Sequence, residues 1–201
     1  MRYIIGIDEV GRGSLAGPVV VAAVLLEPGW KPGGRLKDSK KLTTLRREEW
    51  LRRIKKSGIS YAVSRVSPAV IDRINISRAA NRCAGRSFNR LVAKLGIKDK
   101  KDVRVYLDGG LYIGSKKDQV SGGWDARTVV KGDEKINAVK LASIIAKVTR
   151  DRYMTRLDGV DPRYGFGAHK GYGTRAHRSL VRKYGPGASH RLTFLSKTIN
   201  I

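Results

Sequence analysis

The sequence predicts an α/β fold with a mixed central sheet flanked by helices. Two observations carry this expectation. Two β-branched apolar segments open the chain, and helical and strand patterns then alternate through its middle. The length, 201 residues with 41% hydrophobic content, suits one domain with a real core.

Tyr3 to Val10 is apolar and β-branched, and it runs into Gly11-Arg12-Gly13, so it reads as a strand entering a loop. Pro18 to Leu26 is a second apolar run, expected as a strand buried on both faces. Residues 27–41 hold Pro28, Gly29, Pro32, Gly33 and Gly34 and read as a loop. Thr43 to Lys56 carries Leu45, Trp50, Leu51 and Ile54 at helical spacing, and Ile59 to Val66 alternates like a strand.

Ser67-Pro68 has the residues of a helix start, Ser to cap and Pro at the first position. Asn75 can cap a longer helix, on which Ile76, Ala80, Cys83, Phe88, Leu91 and Leu95 fall near one face. Val103, Val105 and Leu107 alternate up to Asp108-Gly109-Gly110. Residues 109–124 are rich in Gly and Lys, a loop or hairpin. Arg127 to Val130 is a short strand reaching Lys131-Gly132-Asp133, Asn137 to Leu157 is a long helix, and another helix lies near Arg175 to Lys183.

Charge narrows the function. Lys and Arg number 42 against 17 Asp and Glu, a net charge of +25 spread over both halves of the chain. A folded body with such a surface favours polyanions, most often nucleic acid. The longest apolar run, Leu15 to Leu26, is interrupted by Pro18 and is too short to span a bilayer, so no membrane role is expected. Asp8 and Glu9 break the N-terminal apolar stretch, so no signal peptide is expected there. A single cysteine, Cys83, cannot form an internal disulfide or a thiolate zinc site, and it reads as a small core residue. A cytoplasmic, reducing environment fits.

The minority charge is more specific. Expected strand ends carry Asp8-Glu9, Asp108-Gly109 and Gly132-Asp133, and open α/β sheets gather ligands outside strand ends. Carboxylates converging there repel one another unless a cation neutralises them, and an all-oxygen site selects hard cations such as Mg²⁺ or Mn²⁺. Each acid also has a plainer reading. Asp108 suits a turn, and Asp133 suits a helix cap. Asp8 is harder to dismiss, because an unpaired acid within a strand is expensive. Adjacent strand residues face opposite ways, so Asp8 and Glu9 share a site only where the strand bends or ends.

Other features leave alternatives open. Gly11-Arg12-Gly13 can bring backbone and guanidinium close to a ligand, or form a solvent-exposed turn. Lys40 and Lys41 can hold phosphate or begin a solvated helix. Arg78, Arg82, Arg86, Arg90 and Lys94 repeat at i, i+4, either a solvated face or a nucleic-acid track. His169, His177 and His190 have poor zinc spacing. Tyr172, among glycines, offers a flat ring to a sugar or base, or packs its own loop.

Gly6-Ile-Asp-Glu-Val-Gly-Arg-Gly-Ser-Leu-Ala-Gly-Pro18 resembles the opening motif of the ribonuclease HII family. Asp38-Ser-Lys-Lys-Leu42, Ile71-Asp-Arg-Ile-Asn-Ile76, Leu107-Asp-Gly109, Val130-Lys-Gly-Asp133 and Ala142 to Asp151 follow in the family's order. Tyr164-Gly-Phe166, His169-Lys-Gly-Tyr-Gly-Thr174 and His190-Arg-Leu-Thr-Phe194 complete the series, which spans nearly the whole chain. The resemblance implies a ribonuclease H-like domain over residues 1–158 and a C-terminal helical extension over 159–201, packed as one unit.

It also implies hydrolysis of RNA in RNA–DNA hybrids and nicking 5′ of ribonucleotides embedded in duplex DNA, leaving 3′-hydroxyl and 5′-phosphate ends. By resemblance the catalytic, metal-holding acids are Asp8, Glu9, Asp108 and Asp133. Gly11, Arg12, Gly13, Lys40 and Tyr172 bind substrate. Two ions, Mg²⁺ or Mn²⁺, act together, about 3.5–4 Å apart in sites of this kind. The partner is the hybrid or the ribonucleotide-containing duplex, the expected state is monomeric, and no clear sliding-clamp peptide follows the last motif.

Some features depart from the family pattern. The interval from Asp108 to Asp133 is long and contains Asp118 and Asp125, which, with Glu134, rival Asp133 as the fourth acid. Val139-Lys-Leu-Ala142 replaces a stretch of small residues. The charge alone fits two further readings, a non-catalytic nucleic-acid-binding protein and another nuclease of the same superfold.

Overall fold

In the computed structural model, which describes residues 2–114 and 123–196, strand β1 (Tyr3–Val10) lies at the centre of a five-stranded sheet. β2 (Val19–Leu26) flanks it antiparallel, with β3 (Tyr61–Val66) antiparallel beyond. On the other side come β4 (Val103–Asp108) and β5 (Asp125–Val129), both parallel to β1. The order β3-β2-β1-β4-β5 makes the sheet mixed, as the sequence predicts.

Alternation along β1 assigns its two faces. Ile5 and Ile7 pack with Ala80, Cys83 and Phe88 of helix α3 (Ile76–Leu95) and with Ile71 of α2 (Pro68–Ile74). The opposite face of the sheet, with Val20, Ala22 and Val24 of β2, packs on Trp50 and Ile54 of α1 (Thr44–Lys56). It also packs on Leu141, Ile144 and Ile145 of a long helix, α5 (Asn137–Val160). A short helix, α4 (Gly132–Lys135), precedes α5. All eight residues of β2 are buried, as expected of a strand covered on both faces.

A third cluster closes one end of the molecule. Leu15, Ala16 and Met154 pack there against Tyr164, against Phe166 of α6 (Phe166–His169), against Val181 of α7 (Arg175–Tyr184) and against Leu195 of α8 (Leu192–Leu195). Isolated bridges Ser14–Tyr172 and Ala16–His190 tie the loop after β1 to this C-terminal segment.

The structure revises several element bounds. β5 begins at Asp125, two residues before the expected start, where Asp125 binds Arg104 and Arg127. α5 continues to Val160, past the expected end at Leu157. Ser67 stands in the cap position of α2 but makes no side-chain cap bond, whereas Asn75 caps α3 through Arg78 N. Leu95, expected on the apolar face of α3, is exposed. Asp118 and the C-terminal residues 197–201, considered above as a rival acid and as clamp-peptide sequence, lie outside the described residues.

Candidate active site

The acids are brought together by strand register. Ile7 pairs with Leu107, which sets Asp8 beside Asp108 at the same end of parallel neighbours. By strand parity both side chains share the sheet face that packs on α5. Asp133 arrives from α4. Lys131 takes a left-handed conformation with φ of 57°, and the turn points Gly132 and Asp133 back at β4. Gly132 N then donates to Asp108 Oδ1 at 2.7 Å. One carboxylate oxygen each from Asp8, Asp108 and Asp133 lies within 4.8 Å of the others.

Glu9 stands beside this trio and outside it. The strand runs on to Val10, so pleating turns Glu9 toward the α3 side. Its Oε1 is 3.6 Å from the Arg12 guanidinium, and its buried Oε2 has no hydrogen-bond partner. Among the rivals, Asp125 sits at the far end of β5, held by Arg2, Arg104 and Arg127. Glu134 pairs with Lys41 at 3.9 Å.

The acids perturb one another. Burial and then the neighbouring Glu9 and Asp108 hold Asp8 well above the ordinary carboxylate range, although Ser143 donates to it. Burial pushes Glu9 up to about 7, opposed by Arg12 and assisted by Asp108. Asp108 is raised by burial and by Asp133. Such a cluster is electrostatically frustrated when empty. Its donor set is all oxygen, and the orphaned Glu9 Oε2 adds one more unsatisfied acceptor. Hard divalent cations therefore fit the residues present.

Cations and one aromatic ring surround the acids in a cleft of about 530 Å³, whose lining includes Asp8, Glu9, Arg12, Lys40, Asp108 and Tyr172. Gly11 and Gly13 also line it. Lys40 stands on a 3₁₀ turn (Ser39–Lys41) whose Lys40 N–H is accepted by Asp38, and its Nζ donates to Asp133 Oδ2 at 2.9 Å. Gly11 has φ of 88°, and a Cβ there would lie 2.2 Å from Arg150 Nε. Gly13 differs, because a Cβ there would meet no protein atom within 4 Å. Nothing in the protein requires glycine at that position.

Three further side chains at the site lack the plain sequence signal of the acids. Ser143 and Lys147, one turn apart on α5, line the cleft. Ser143 Oγ is 2.7 Å from Ser39 Oγ, and Lys147 is held by Asp151 at 2.9 Å. Arg150 is fully buried, donates to the carbonyls of Ala16, Pro18 and Lys170, and has its Cζ 5.4 Å from the Tyr172 ring centroid. Ser143, Lys147 and Arg150, four and three positions apart in a largely apolar stretch, were the available signal.

Tyr172 is held from behind by histidines. His177 Nδ1 lies 2.9 Å from the Tyr172 carbonyl, so that nitrogen carries the proton. His177 Nε2 then accepts from His190 Nε2 at 3.1 Å, and His190 Nδ1 accepts from Gly187 N at 3.0 Å. His169 stacks on His177 with centroids 4.2 Å apart. Every ring nitrogen of the three is engaged within the protein.

Fold and site together define a ribonuclease H-like hydrolase. Ribonuclease HII of Archaeoglobus fulgidus, solved as a complex with PCNA, matches with a TM-score of 0.70 at 29% identity, covering 98% of this chain and 94% of that one. Bst-RNase HIII in complex with Mn²⁺ shares the fold with a TM-score of 0.68 at 21% identity, over 92% of this chain and 63% of that one. The family model Ribonuclease HII matches residues 5–197. Ribonuclease HII of Caldicellulosiruptor bescii is 40% identical over 200 residues, covering 100% of this chain and 90% of that protein. The chain belongs to the ribonuclease HII family and is a ribonuclease H.

Proposed function

We propose that the protein hydrolyses RNA in RNA–DNA hybrids and nicks duplex DNA 5′ of an embedded ribonucleotide, leaving 3′-hydroxyl and 5′-phosphate ends. The observation that carries this reading is the approach of Asp8, Asp108 and Asp133 to within 4.8 Å of one another, the first two lining a cleft that Arg12, Lys40 and Lys147 also line. Asp8, Glu9, Asp108 and Asp133 would hold the divalent ions, Mg²⁺ or Mn²⁺. Bound there, such ions supply Lewis-acid activation of water and charge neutralisation at the phosphate.

The remaining residues bind and orient. Lys40 is mostly exposed beyond its contact with Asp133 and is placed to hold a phosphate. The open space over Gly13 leaves room for a nucleic-acid backbone to approach the loop, and the glycine keeps that room clear. Arg12 is tethered to Ser77 at 3.4 Å and to Glu9, so its guanidinium is oriented before substrate arrives. The Tyr172 ring gives a flat surface against the sugar, and the ribose 2′-hydroxyl is the group by which RNA is told from DNA.

The test uses a DNA duplex carrying one ribonucleotide, its all-DNA counterpart and a long hybrid, each with Mg²⁺ or Mn²⁺. The expected result is a nick 5′ of the ribonucleotide, lost in Asp108→Asn. No cleavage of either ribose-containing substrate overturns the reading. Cleavage of an all-DNA branched substrate alone would select another nuclease activity of this superfold.

A further inference from the structure

Two adjoining depressions of about 500 and 490 Å³ run along the outer edge of β3. Both are lined by Arg65 and Arg86, so they form one groove. α3 adds Arg82 and Arg90, the end of α2 adds Arg73, and α5 adds Tyr153, over whose ring Arg65 lies at 5.4 Å. Among the described residues, none of these five guanidiniums has a carboxylate within salt-bridge distance. Arg90 is anchored on Val63 O at 3.2 Å. The others stand close together, repelling, with their charge unspent.

The groove and the cleft lie at the same end of the sheet. Val66 pairs with Val19, so this end of β3 lies at the same end of the sheet as the site acids. Pro18 lines the groove, and its carbonyl is held by Arg150, the residue beside the Tyr172 ring. The i, i+4 run of bases on α3 is thereby divided. Arg82, Arg86 and Arg90 line the groove, whereas Arg78 and Lys94 do not.

We propose that this groove binds the sugar–phosphate backbone of a duplex beyond the cleavage site, without reading its sequence. The inference rests on the nucleic-acid reading of the cleft. Phosphate is the complement that fits, since arginines without acids in a concave track match a repeating anion. Charged side chains also protect an edge strand from pairing with another chain. That role alone needs no concave track of five arginines.

The test is binding of the full chain, without metal, to a long all-DNA duplex across a salt series. Arg82→Gln/Arg86→Gln is compared with Arg82→Lys/Arg86→Lys, and thermal melts verify folding. Both positions are exposed. The glutamine variant is expected to bind at least about tenfold more weakly and to lower the salt slope by about two, as loss of two phosphate contacts requires. The lysine variant should keep most of the slope. An unchanged slope in the glutamine variant overturns the proposal, as does binding to anionic vesicles in place of the duplex. Failure of the wild type to nick, with binding still dependent on Arg82 and Arg86, would sink the hydrolytic reading and leave the groove standing.

Discussion

Lys40 Nζ sits 2.9 Å from Asp133 Oδ2, joining the loop after β2 to a carboxylate 93 residues further along the chain. The two ends of this pair differ, for the Asp133 side chain is 4% exposed and the Lys40 side chain 77%. Only the lysine end is open to water, so its removal leaves a buried carboxylate without this partner beside two other acids. Without metal, Lys40→Ala is therefore expected to lower the unfolding free energy by about 1–3 kcal/mol. Cleavage should fall about 10²-fold, the typical effect of removing one group that binds reacting-centre charge. Denaturant melts and steady-state kinetics on a single-ribonucleotide duplex check both halves.

Removing a site acid should separate activity from stability. Asp8 is buried with Glu9 and Asp108 beside it, so Asp8→Asn removes both repulsion and a desolvation cost. In chelator, this variant is expected to melt higher than wild type, by about 2–4 °C for each kcal/mol relieved. Mg²⁺ should raise the wild-type melting temperature and raise that of Asp8→Asn less, since ions that bind only the folded state stabilise it. Calorimetry with and without metal reads this, and a lower melting temperature for the variant in chelator would contradict it.

The histidine relay predicts an acid limit. Burial pushes His177 down to about 4, with His169 and His190 adding to the effect against the bond to Tyr172. The folded state thus resists a proton that the unfolded chain takes up near pH 6.5. Stability is full above that value and is lost as pH falls from about 6.5 toward 4, by up to about 1.4 kcal/mol per pH unit. In His177→Asn this part of the pH dependence should disappear. Melting temperatures between pH 7 and pH 4.5 measure it.

Gly6 sets how closely α5 approaches β1. A Cβ at this position would lie 2.2 Å from the Ala138 carbonyl carbon, and backbone cannot step aside as a side chain can. Gly6→Ala is expected to cost about 3 kcal/mol, at the upper end for overpacking. It should also impair cleavage, because the displaced helix carries Ser143 and Lys147. Wild-type stability in this variant would refute the argument.

Much of this architecture was legible in the chain. β1 and β2 announce themselves by β-branched runs, and α3 by its apolar period. The short helices α4, α6 and α8 were not legible, because four residues are too few to display a period. At the site, Asp8 and Asp108 stood out as acids closing apolar strands. Ser143 and Lys147 did not, since their place in the cleft follows from how α5 crosses β1, a long-range distance that no local pattern encodes. For the same reason three histidines with poor metal spacing proved to be a hydrogen-bonded stack behind Tyr172.

Arg191 adds a dimension of time. Its guanidinium is fully buried and donates to the carbonyls of Arg12 and Gly17, which lie 179 and 174 residues earlier. The acids of β1, β4 and α4 are all synthesised well before it. The loop after β1 is therefore fastened by contacts of very long sequence separation, so closing this end of the molecule waits on the slowest kind of contact a chain makes.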